Sequence, residues 1–212
     1  IAVNQDRYGK AASVGKPMPG TEVRIVDKDE SGIGEVICKG PSVMMGYYKD
    51  AENTAKTIKD GWLYTGDYGY LDEDGFLYIT GRKKNVIVTK GGKNIFPEEV
   101  EYYLLLSDFI SEVIVYGKHE EIKDDLICTA IMYPDFKALE NAGYMTDEEK
   151  YRKLKEAVEE ANSKMPPFKR VKRIEIREDD FIKTTTLKIK RFEEENYEYK
   201  FDDRDFEKGR RF

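Results

Sequence analysis

The feature that most constrains the fold is a change of sequence pattern at Arg82. Upstream of it, short apolar runs alternate with turn signals built from Gly, Pro and Asp, as in GKPMPG at 15–20 and KDGW at 59–62. The runs predict short strands at 22–27, 34–40 and 75–81. So few strands could hardly close a barrel of their own. We therefore expect this part to be an incomplete piece of a β-barrel or of a distorted sheet.

Downstream of Arg82, two segments have helical periodicity between apolar runs. The first helix begins at Pro97, which suits the first helical position because the N–H it lacks would be unpaired there. The second begins at a capping box formed by Thr146 and Glu149. The predicted apolar stripes are Val100, Tyr103 and Leu104 in the first helix and Tyr151, Leu154, Val158 and Ala161 in the second. The predicted strands are 85–90, 111–117, 126–134 and 170–178. The predicted fold class is α+β.

The charge and hydropathy of the chain exclude several classes of function. Its formal net charge is -6, with 37% charged residues, which argues against a general nucleic-acid-binding protein. Apolar runs are far shorter than the roughly 20 residues that a membrane helix needs, and no signal peptide opens the chain. We therefore expect a cytoplasmic location.

The cysteines and the single histidine do not indicate a metal site. Cys38 and Cys128 show no metal-ligand spacing, so we interpret them as reduced, structural thiols. His119 is the only histidine, and we interpret it as structural because a lone histidine cannot build a metal centre.

Asp67 is the first candidate binding residue. It lies in YTGDYG, where the flanking glycines predict a tight turn. An ionised carboxylate can accept hydrogen bonds from two neighbouring hydroxyls, such as those of a ribose. The alternative is an ordinary turn aspartate, and the residue alone favours that alternative.

Two further motifs follow within 81–94. In GRKKN, Arg82 carries a planar guanidinium that can hydrogen-bond sugar or phosphate oxygens, although a basic cluster in a linker is usually only solvated. KGGKN is not a P-loop, because Gly92-Lys93 is followed by Asn94 and the earlier glycine position holds Ile87. The paired glycines instead predict a place where a ligand or another chain approaches the backbone.

A threonine-rich run near the end of the sequence, DDFIKTTTLKIKRF at 179–192, contains Lys183, Lys188 and Lys190. One of these ammonium groups could act as a point charge toward a phosphate or carboxylate. The alternative is an edge strand protected by lysines, and the residues alone do not decide between the lysines.

Taken in order, three of these stretches resemble the C-terminal part of the adenylate-forming acyl-CoA synthetases, in the variant of the long-chain fatty acid–CoA ligases. The stretches are GEVICKGPSVMMGYYKD, DGWLYTGDYGYLDEDGFLYITGRKKNVIVTKGGKNIFPEEVE and FIKTTTLKIKR. The resemblance covers nearly the whole chain except its tail. It implies two steps: a fatty acid and ATP form an acyl-adenylate and pyrophosphate, and CoA then displaces AMP.

The resemblance also implies roles for residues of the second stretch. Asp67 would bind the ribose hydroxyls of the nucleotide, and Arg82 would support the same sugar. Lys84 would be the hinge about which the small domain moves between the two steps. Gly91 and Gly92 would lie where the pantetheine arm of CoA passes.

Lys188 matches the catalytic lysine of the family, which reaches into the site during adenylation. A cation between two negatively charged reactants offsets their repulsion and stabilises charge on the α-phosphate. The match departs from the common pattern PKTxSGK, since Ile182 replaces the proline and Leu187 the glycine.

The resemblance places other parts of the enzyme upstream of Ile1. These are the phosphate loop, the fatty-acid pocket and the YGxTE segment with its magnesium-binding glutamate. We therefore expect a fragment that forms no acyl-CoA alone. Its partners would be fatty acid, ATP, CoA and the remaining N-terminal domain, with magnesium bound by the upstream part, no nucleic acid, and peripheral membrane contact as a possibility.

The expected domains are an incomplete, β-rich end of the large N-terminal domain at 1–83, a small mobile α+β domain at 84–192, and a charged aromatic tail at 193–212. Three alternatives stay open. One is another adenylate-forming branch that acts on amino acids or transfers to an acyl-carrier protein. Another is a non-catalytic binding module. The third is RNA binding by a basic cluster, whose members are Lys164, Lys169, Arg170, Lys172 and Arg173.

Overall fold

A computed structural model describes residues 1–5, 8–120 and 125–191 of the chain. The predicted tail at 193–212 lies outside these residues. The chain divides into two compact units, Ile1–Val86 and the part from Ile87 onward, which are described separately. The domain boundary predicted between residues 83 and 84 stays a prediction.

The first unit is built on a five-stranded antiparallel sheet. In chain order the elements are β1 (Ala2–Val3), β2 (Lys16–Pro17), β3 (Glu22–Val26), β4 (Gly34–Lys39), α1 (Ala51–Thr57), β5 (Ile58–Lys59), β6 (Trp62–Leu71) and β7 (Leu77–Arg82). The sheet has the order β3-β4-β6-β5, and β7 also pairs with β6. Strands β1 and β2 form a separate antiparallel pair. The three predicted strands of this part are present as β3, β4 and β7.

Strand β6 corrects the prediction that Asp67 lies in a tight turn. On one side of β6, Tyr64 pairs with Ile37 and Tyr68 pairs with Glu35, so Val36 alone faces the three residues between the tyrosines. Gly66, one of the three, has a φ of 70°, which is the left-handed conformation that glycine adopts without strain. The glycine signal therefore marks a β-bulge inside a strand.

Helix α1 was not predicted, because it has no buried residue and hence no apolar stripe. Its start has a local signal nevertheless. The Asp50 carboxylate accepts a hydrogen bond of 3.0 Å from the backbone N–H of Asn53, as an N-cap residue does. The Asn53 side-chain amide also donates to Asp50 at 2.7 Å, and this bond, together with the backbone bond, lowers the pKa of the Asp50 carboxyl group.

The second unit combines a three-stranded sheet with helices. Its elements are β8 (Ile87–Val88), β9 (Asn94–Ile95), α2 (Pro97–Leu104), β10 (Ile110–Glu120), β11 (Asp125–Pro134), α3 (Phe136–Asn141), α4 (Asp147–Ser163) and β12 (Arg173–Ile176). Strand β10 pairs antiparallel with β11, and β11 pairs parallel with β12. Strands β8 and β9 form a separate antiparallel pair.

The core of the second unit lies between this sheet and helices α2 and α4. Val100 and Leu104 from α2 and Leu154 and Val158 from α4 are buried in it, as the predicted stripes require. The capping box at the start of α4 is present, with the Thr146 hydroxyl accepting from the Glu149 backbone N–H. The Glu149 carboxylate accepts from the Thr146 backbone N–H in return, and these contacts lower its pKa.

Two predicted strands of the second unit differ from the structure, and one helix was not predicted. The strand predicted at 85–90 is wrong for most of its length, because Lys83–Asn85 forms a 3-10 turn and only Ile87–Val88 pairs. The strand predicted at 170–178 pairs only at Arg173–Ile176. Helix α3 was not predicted, because it has six residues and buries only Leu139, which is too few apolar residues to show a helical periodicity.

The packing of α2 leads to a stability prediction. Leu104 is fully buried, so Leu104→Ala should lower the free energy of unfolding by about 2–5 kcal/mol through lost burial and a residual cavity. Urea denaturation measures the change. Leu106→Ala, at a side chain that is 54% exposed, is the control and should change it by less than about 0.5 kcal/mol. Equal effects of the two substitutions would contradict this packing.

Both cysteines are buried free thiols. Burial raises the pKa of Cys128 to about 12 and also raises the pKa of Cys38, which disfavours the reactive thiolate. His119 lies exposed on β10. Within the described ranges, no helix has both the length and the apolar character needed to cross a membrane.

Candidate nucleotide and acyl-transfer site

Asp67 and Arg82 face each other across strands β6 and β7. The two residues are register partners, and Arg82 Nε lies 2.9 Å from Asp67 Oδ1, so the side chains form an ion pair. The side chains are 29% and 58% exposed, so a ligand could reach both. An ion pair in such contact with water contributes only about 0–1 kcal/mol to stability. Its main effect is to orient the carboxylate and the guanidinium beside each other.

The bulge fixes the backbone at Asp67. Thr65 Oγ1 donates to the carbonyl of Val36 at 2.7 Å and accepts from the Asp67 N–H at 3.1 Å. The bulge also changes the direction of the strand, as bulges next to binding sites commonly do. The structure therefore brings Asp67 and Arg82 together as an ion pair, and the binding roles of the two residues stay predictions.

A second ion pair, which sequence reasoning missed, holds the 3-10 turn after β7. Lys83 Nζ donates to Glu35 Oε2 at 2.6 Å, and the Glu35 side chain is only 5% exposed. The hydrogen bond raises the pKa of Lys83. The partners are 48 positions apart, so no local pattern predicts the contact. Lys84, the next residue, is exposed.

Gly91 and Gly92 form the turn between β8 and β9. The Gly92 N–H donates to the Thr89 carbonyl at 2.8 Å, and Gly92 has a φ of 73°. A Cβ at Gly92 would meet no atom within 4 Å. The backbone conformation therefore favours glycine at this position, and crowding within the described chain does not. The turn is exposed, so a ligand could approach its backbone.

Lys188 lies on a short hairpin, residues 183–189, which we call the lysine hairpin. Lys183 and Ile189 pair across its base. The Thr184 N–H donates to the Lys188 carbonyl at 2.8 Å, and Thr184 Oγ1 accepts from the Lys188 N–H at 3.1 Å. The Lys188 side chain is exposed, so its ammonium group is accessible to a reactant. Asp67 and Arg82 lie in the first unit, and Lys188, Gly91 and Gly92 lie in the second.

Leu187 adopts a backbone conformation that disfavours its own side chain. Its φ is 61°, in the left-handed region, and its N–H donates to the Thr184 carbonyl at 2.9 Å. This is the position at which the motif PKTxSGK has glycine. The hairpin therefore keeps a glycine-type turn while carrying a leucine.

Leu187→Gly should stabilise the second unit. A left-handed conformation costs an L-residue roughly 1–2 kcal/mol. Glycine avoids this cost, but its greater entropy in the unfolded chain offsets about 0.5–1 kcal/mol of the gain. The Leu187 side chain is 79% exposed, so little burial is lost. We expect a gain of about 0.5–1 kcal/mol in urea denaturation. Leu187→Ala keeps the Cβ and should show no such gain; a glycine variant less stable than the alanine variant would contradict the strain.

Much of the basic cluster considered for RNA binding is engaged within the protein. The pairs are Lys164 with Glu160 at 2.9 Å, Lys169 with Glu99 at 2.6 Å, and Arg173 with Glu175 at 3.5 Å. Cations already paired with carboxylates contribute less to phosphate binding. The exposed members of this cluster are Lys164, Arg170 and Lys172.

Two known protein domains match parts of this chain. The family described as AMP-binding enzyme matches residues 1–48, and the AMP-binding enzyme C-terminal domain matches residues 84–198. The second match covers more than half of the chain. The chain therefore belongs to the AMP-binding enzyme family, and it carries the C-terminal domain of that family.

Among individual proteins, the chain is 36% identical over 188 residues to a long-chain-fatty-acid–CoA ligase of Bacillus subtilis. The matched region covers 86% of this chain and 31% of that protein. It is 43% identical over 117 residues to a 2-succinylbenzoate–CoA ligase of Bacillus cytotoxicus, covering 53% of this chain and 24% of that protein. The chain thus spans about a third or less of the length of these relatives.

A solved structure of an o-succinylbenzoate CoA synthetase from Bacillus subtilis, in complex with its acyl-adenylate intermediate, matches with a TM-score of 0.74. Its identity is 26%, over 90% of this chain and 37% of that chain. This likeness confirms the predicted α+β fold class and the resemblance to the adenylate-forming acyl-CoA synthetases.

Proposed function

We propose that this chain is the C-terminal part of an ATP-dependent long-chain fatty acid–CoA ligase. The observation that carries the proposal is the similarity, over 86% of the chain, to a long-chain-fatty-acid–CoA ligase. The protein would join a fatty acid to ATP to give an acyl-adenylate and pyrophosphate, and then transfer the acyl group to the CoA thiol with release of AMP. We further propose that it works in the cytoplasm.

The Asp67–Arg82 pair supports a ribose-binding role in this reaction. The carboxylate would accept hydrogen bonds from the two ribose hydroxyls, since an ionised carboxylate offers acceptor sites on both oxygens. Arg82, whose Nε lies 2.9 Å from Asp67 Oδ1, would keep the carboxylate in place by charge and contact the sugar with its guanidinium donors. The bulge at Gly66 would present the pair to the nucleotide.

The exposed Lys188 supports a role in adenylation. Its ammonium group would lie between the fatty-acid carboxylate and the α-phosphate of ATP and stabilise the charge that develops as they react. Lys84 would act as the hinge between the two steps, and the turn at Gly91 and Gly92 would allow the pantetheine arm to pass. Magnesium would neutralise phosphate charge. In the part of the chain that the structure describes, no three His, Cys, Asp or Glu side chains are grouped to bind a metal, so no ligand is assigned here.

A second substrate is favoured by a specific observation. The relatives include 2-succinylbenzoate–CoA ligases at 43% identity, and these act on a different acid. The residues proposed above would act on the nucleotide and in acyl transfer, and none of them is assigned to binding the acid. The CoA ligase reaction is therefore the broader proposal, and the long-chain fatty acid is the narrower one.

The test is acid-dependent ATP–pyrophosphate exchange by the full-length protein that contains this chain. Palmitate, 2-succinylbenzoate and an amino-acid mixture are compared, and CoA is compared with an acyl-carrier protein as acceptor. Exchange with palmitate and transfer to CoA support the proposal. Exchange with another acid, or transfer only to the carrier protein, would assign the chain to a different branch. Exchange with none of the acids would favour a non-catalytic binding module.

A further inference from the structure

The lysine hairpin is attached to the second unit at two places. At its start, Phe181 is buried against Ile114 and Ile131 of the sheet. Lys183 Nζ pairs with Glu112 Oε1 at 2.6 Å and with Asp180 Oδ1 at 2.9 Å. This attachment combines an apolar anchor with an ion pair, which fixes the first strand of the hairpin.

At the other end of the hairpin, Arg191 attaches the chain to helix α2 and strand β10. Arg191 Nη2 donates to Glu101 Oε1 at 2.7 Å and to Oε2 at 2.5 Å. Arg191 Nη1 donates to the Val115 carbonyl at 3.2 Å. Glu98 Oε1 adds a weaker charge contact at 4.0 Å. A guanidinium held by several acceptors at once has a fixed position and a fixed orientation.

Glu101 is itself held from a second direction. It is 8% exposed, and its Oε1 accepts the Val115 N–H at 2.6 Å. One carboxylate therefore joins helix α2, strand β10 and the end of the lysine hairpin. Its pKa is raised by burial and lowered by Arg191, with the effect of burial the larger.

The energetics of such a pair favour a positional role. Taking charged groups largely out of water is costly, and well-packed apolar residues often give equal or greater stability at such a place. An apolar pair, however, would not set the position of the backbone at Arg191 so closely. Lys188 lies only three residues before Arg191, and the Lys190 N–H donates to the Ile182 carbonyl at 2.9 Å, which links the two ends of the hairpin.

We propose that Glu101 and Arg191 are positioning residues that hold the lysine hairpin so that Lys188 is presented for adenylation. This inference rests on the proposed function, in which Lys188 acts on the acid and the α-phosphate. The pair acts through the backbone of the hairpin and touches no reactant. Loss of the pair lets the hairpin shift and the ammonium group leave its working position, and small displacements of a catalytic group can cost up to about a hundredfold in rate.

The experiment uses Glu101→Gln, Arg191→Met and Arg191→Lys in the full-length protein. Hydrogen exchange of the Leu187 and Lys188 amides, which bond to Thr184, reports on the hairpin without requiring catalysis. In Glu101→Gln and Arg191→Met we expect exchange about tenfold faster and adenylation about tenfold slower. Thioester formation from supplied acyl-adenylate should change by less than about twofold. Arg191→Lys keeps the positive charge without the planar guanidinium and should recover part of the lost adenylation rate.

Glu99→Gln is the matched control, since Glu99 lies on the same helix and pairs with Lys169 instead of the hairpin. It should leave hairpin exchange and adenylation unchanged. In a Lys188→Ala background, Arg191→Met should cause no further loss of adenylation, because the two residues act as one unit.

The possible failures are distinguishable. Unchanged exchange at Leu187 and Lys188, or a full additional loss in the Lys188→Ala background, overturns the positioning role. Equal loss of both half-reactions, with no recovery in Arg191→Lys, shows a merely structural pair and overturns it as well. Normal adenylation by Lys188→Ala alone overturns the assignment of Lys188 in the proposed function, whatever the hydrogen exchange of the hairpin amides shows.

Discussion

Lys188→Ala is expected to lower the rate of acyl-adenylate formation by about 10²–10³ in the full-length protein. This is the usual effect of removing one group that stabilises developing charge in a transition state. The Lys188 side chain is exposed, and its backbone is held by Thr184 through bonds that the substitution keeps. The variant should therefore fold normally. Pyrophosphate exchange measures the first half-reaction.

The second half-reaction separates a catalytic role from a general defect. Thioester formation from supplied acyl-adenylate and CoA should stay within about twofold of wild type, since the charge that Lys188 stabilises belongs to the first step. Lys155→Ala removes another exposed ammonium group of the second unit and should change neither step. Equal losses in both half-reactions would exclude the assigned role.

The elements with strong local signals could be predicted from the sequence. The capping box of α4 is formed by Thr146 and Glu149, three residues apart, and the stripe that includes Leu154 and Val158 follows the helical period. Strands β4, β10 and β11 each contain a run of at least three consecutive apolar residues, and in β3 the apolar residues lie on both sides of Arg24. In these segments, local propensity and burial in the fold agree.

The bulge in β6 shows why a correct local signal led to an incorrect element. Gly66 does adopt the positive φ that its surroundings suggest. Whether such a glycine ends a strand or bulges within it depends on pairing with β4, which is distant in sequence. The structure therefore corrects the predicted backbone at Asp67, and the predicted binding role of this residue stays a prediction.

The ion pairs within each unit join residues that are distant in sequence, so a single sequence gives little information about them. Arg191 and Glu101 are 90 positions apart, and Lys83 and Glu35 are 48 apart. One weak signal was available for Glu101, because it precedes the buried Leu104 by three residues and so lies on the same face of α2. A carboxylate on a core-facing stripe requires a partner, but the sequence does not identify the partner as Arg191.

Asp67→Ala should raise the Kd of the full-length protein for ATP on the order of a hundredfold. In the proposed complex the carboxylate accepts two hydrogen bonds, and a hydrogen bond to a charged group contributes about 1.5–3 kcal/mol. Losing about 2.8 kcal/mol corresponds to a hundredfold change in affinity. The fold should be little affected, because the pair with Arg82 is solvent-exposed and contributes only about 0–1 kcal/mol. Calorimetric titration with ATP measures the affinity.

Removing a hydroxyl from the nucleotide tests the same contact from the ligand side. Wild-type protein should bind 2′-deoxy-ATP more weakly than ATP, whereas Asp67→Ala should bind the two about equally, because the acceptor of that hydroxyl is already gone. Asp74→Ala removes an exposed carboxylate of the first unit that pairs with Lys10, and it should keep the full preference for ATP. If Asp67→Ala discriminated between the two nucleotides as strongly as wild type, the ribose contact would belong to another residue, and the ion pair between Asp67 and Arg82 would be only a link between β6 and β7.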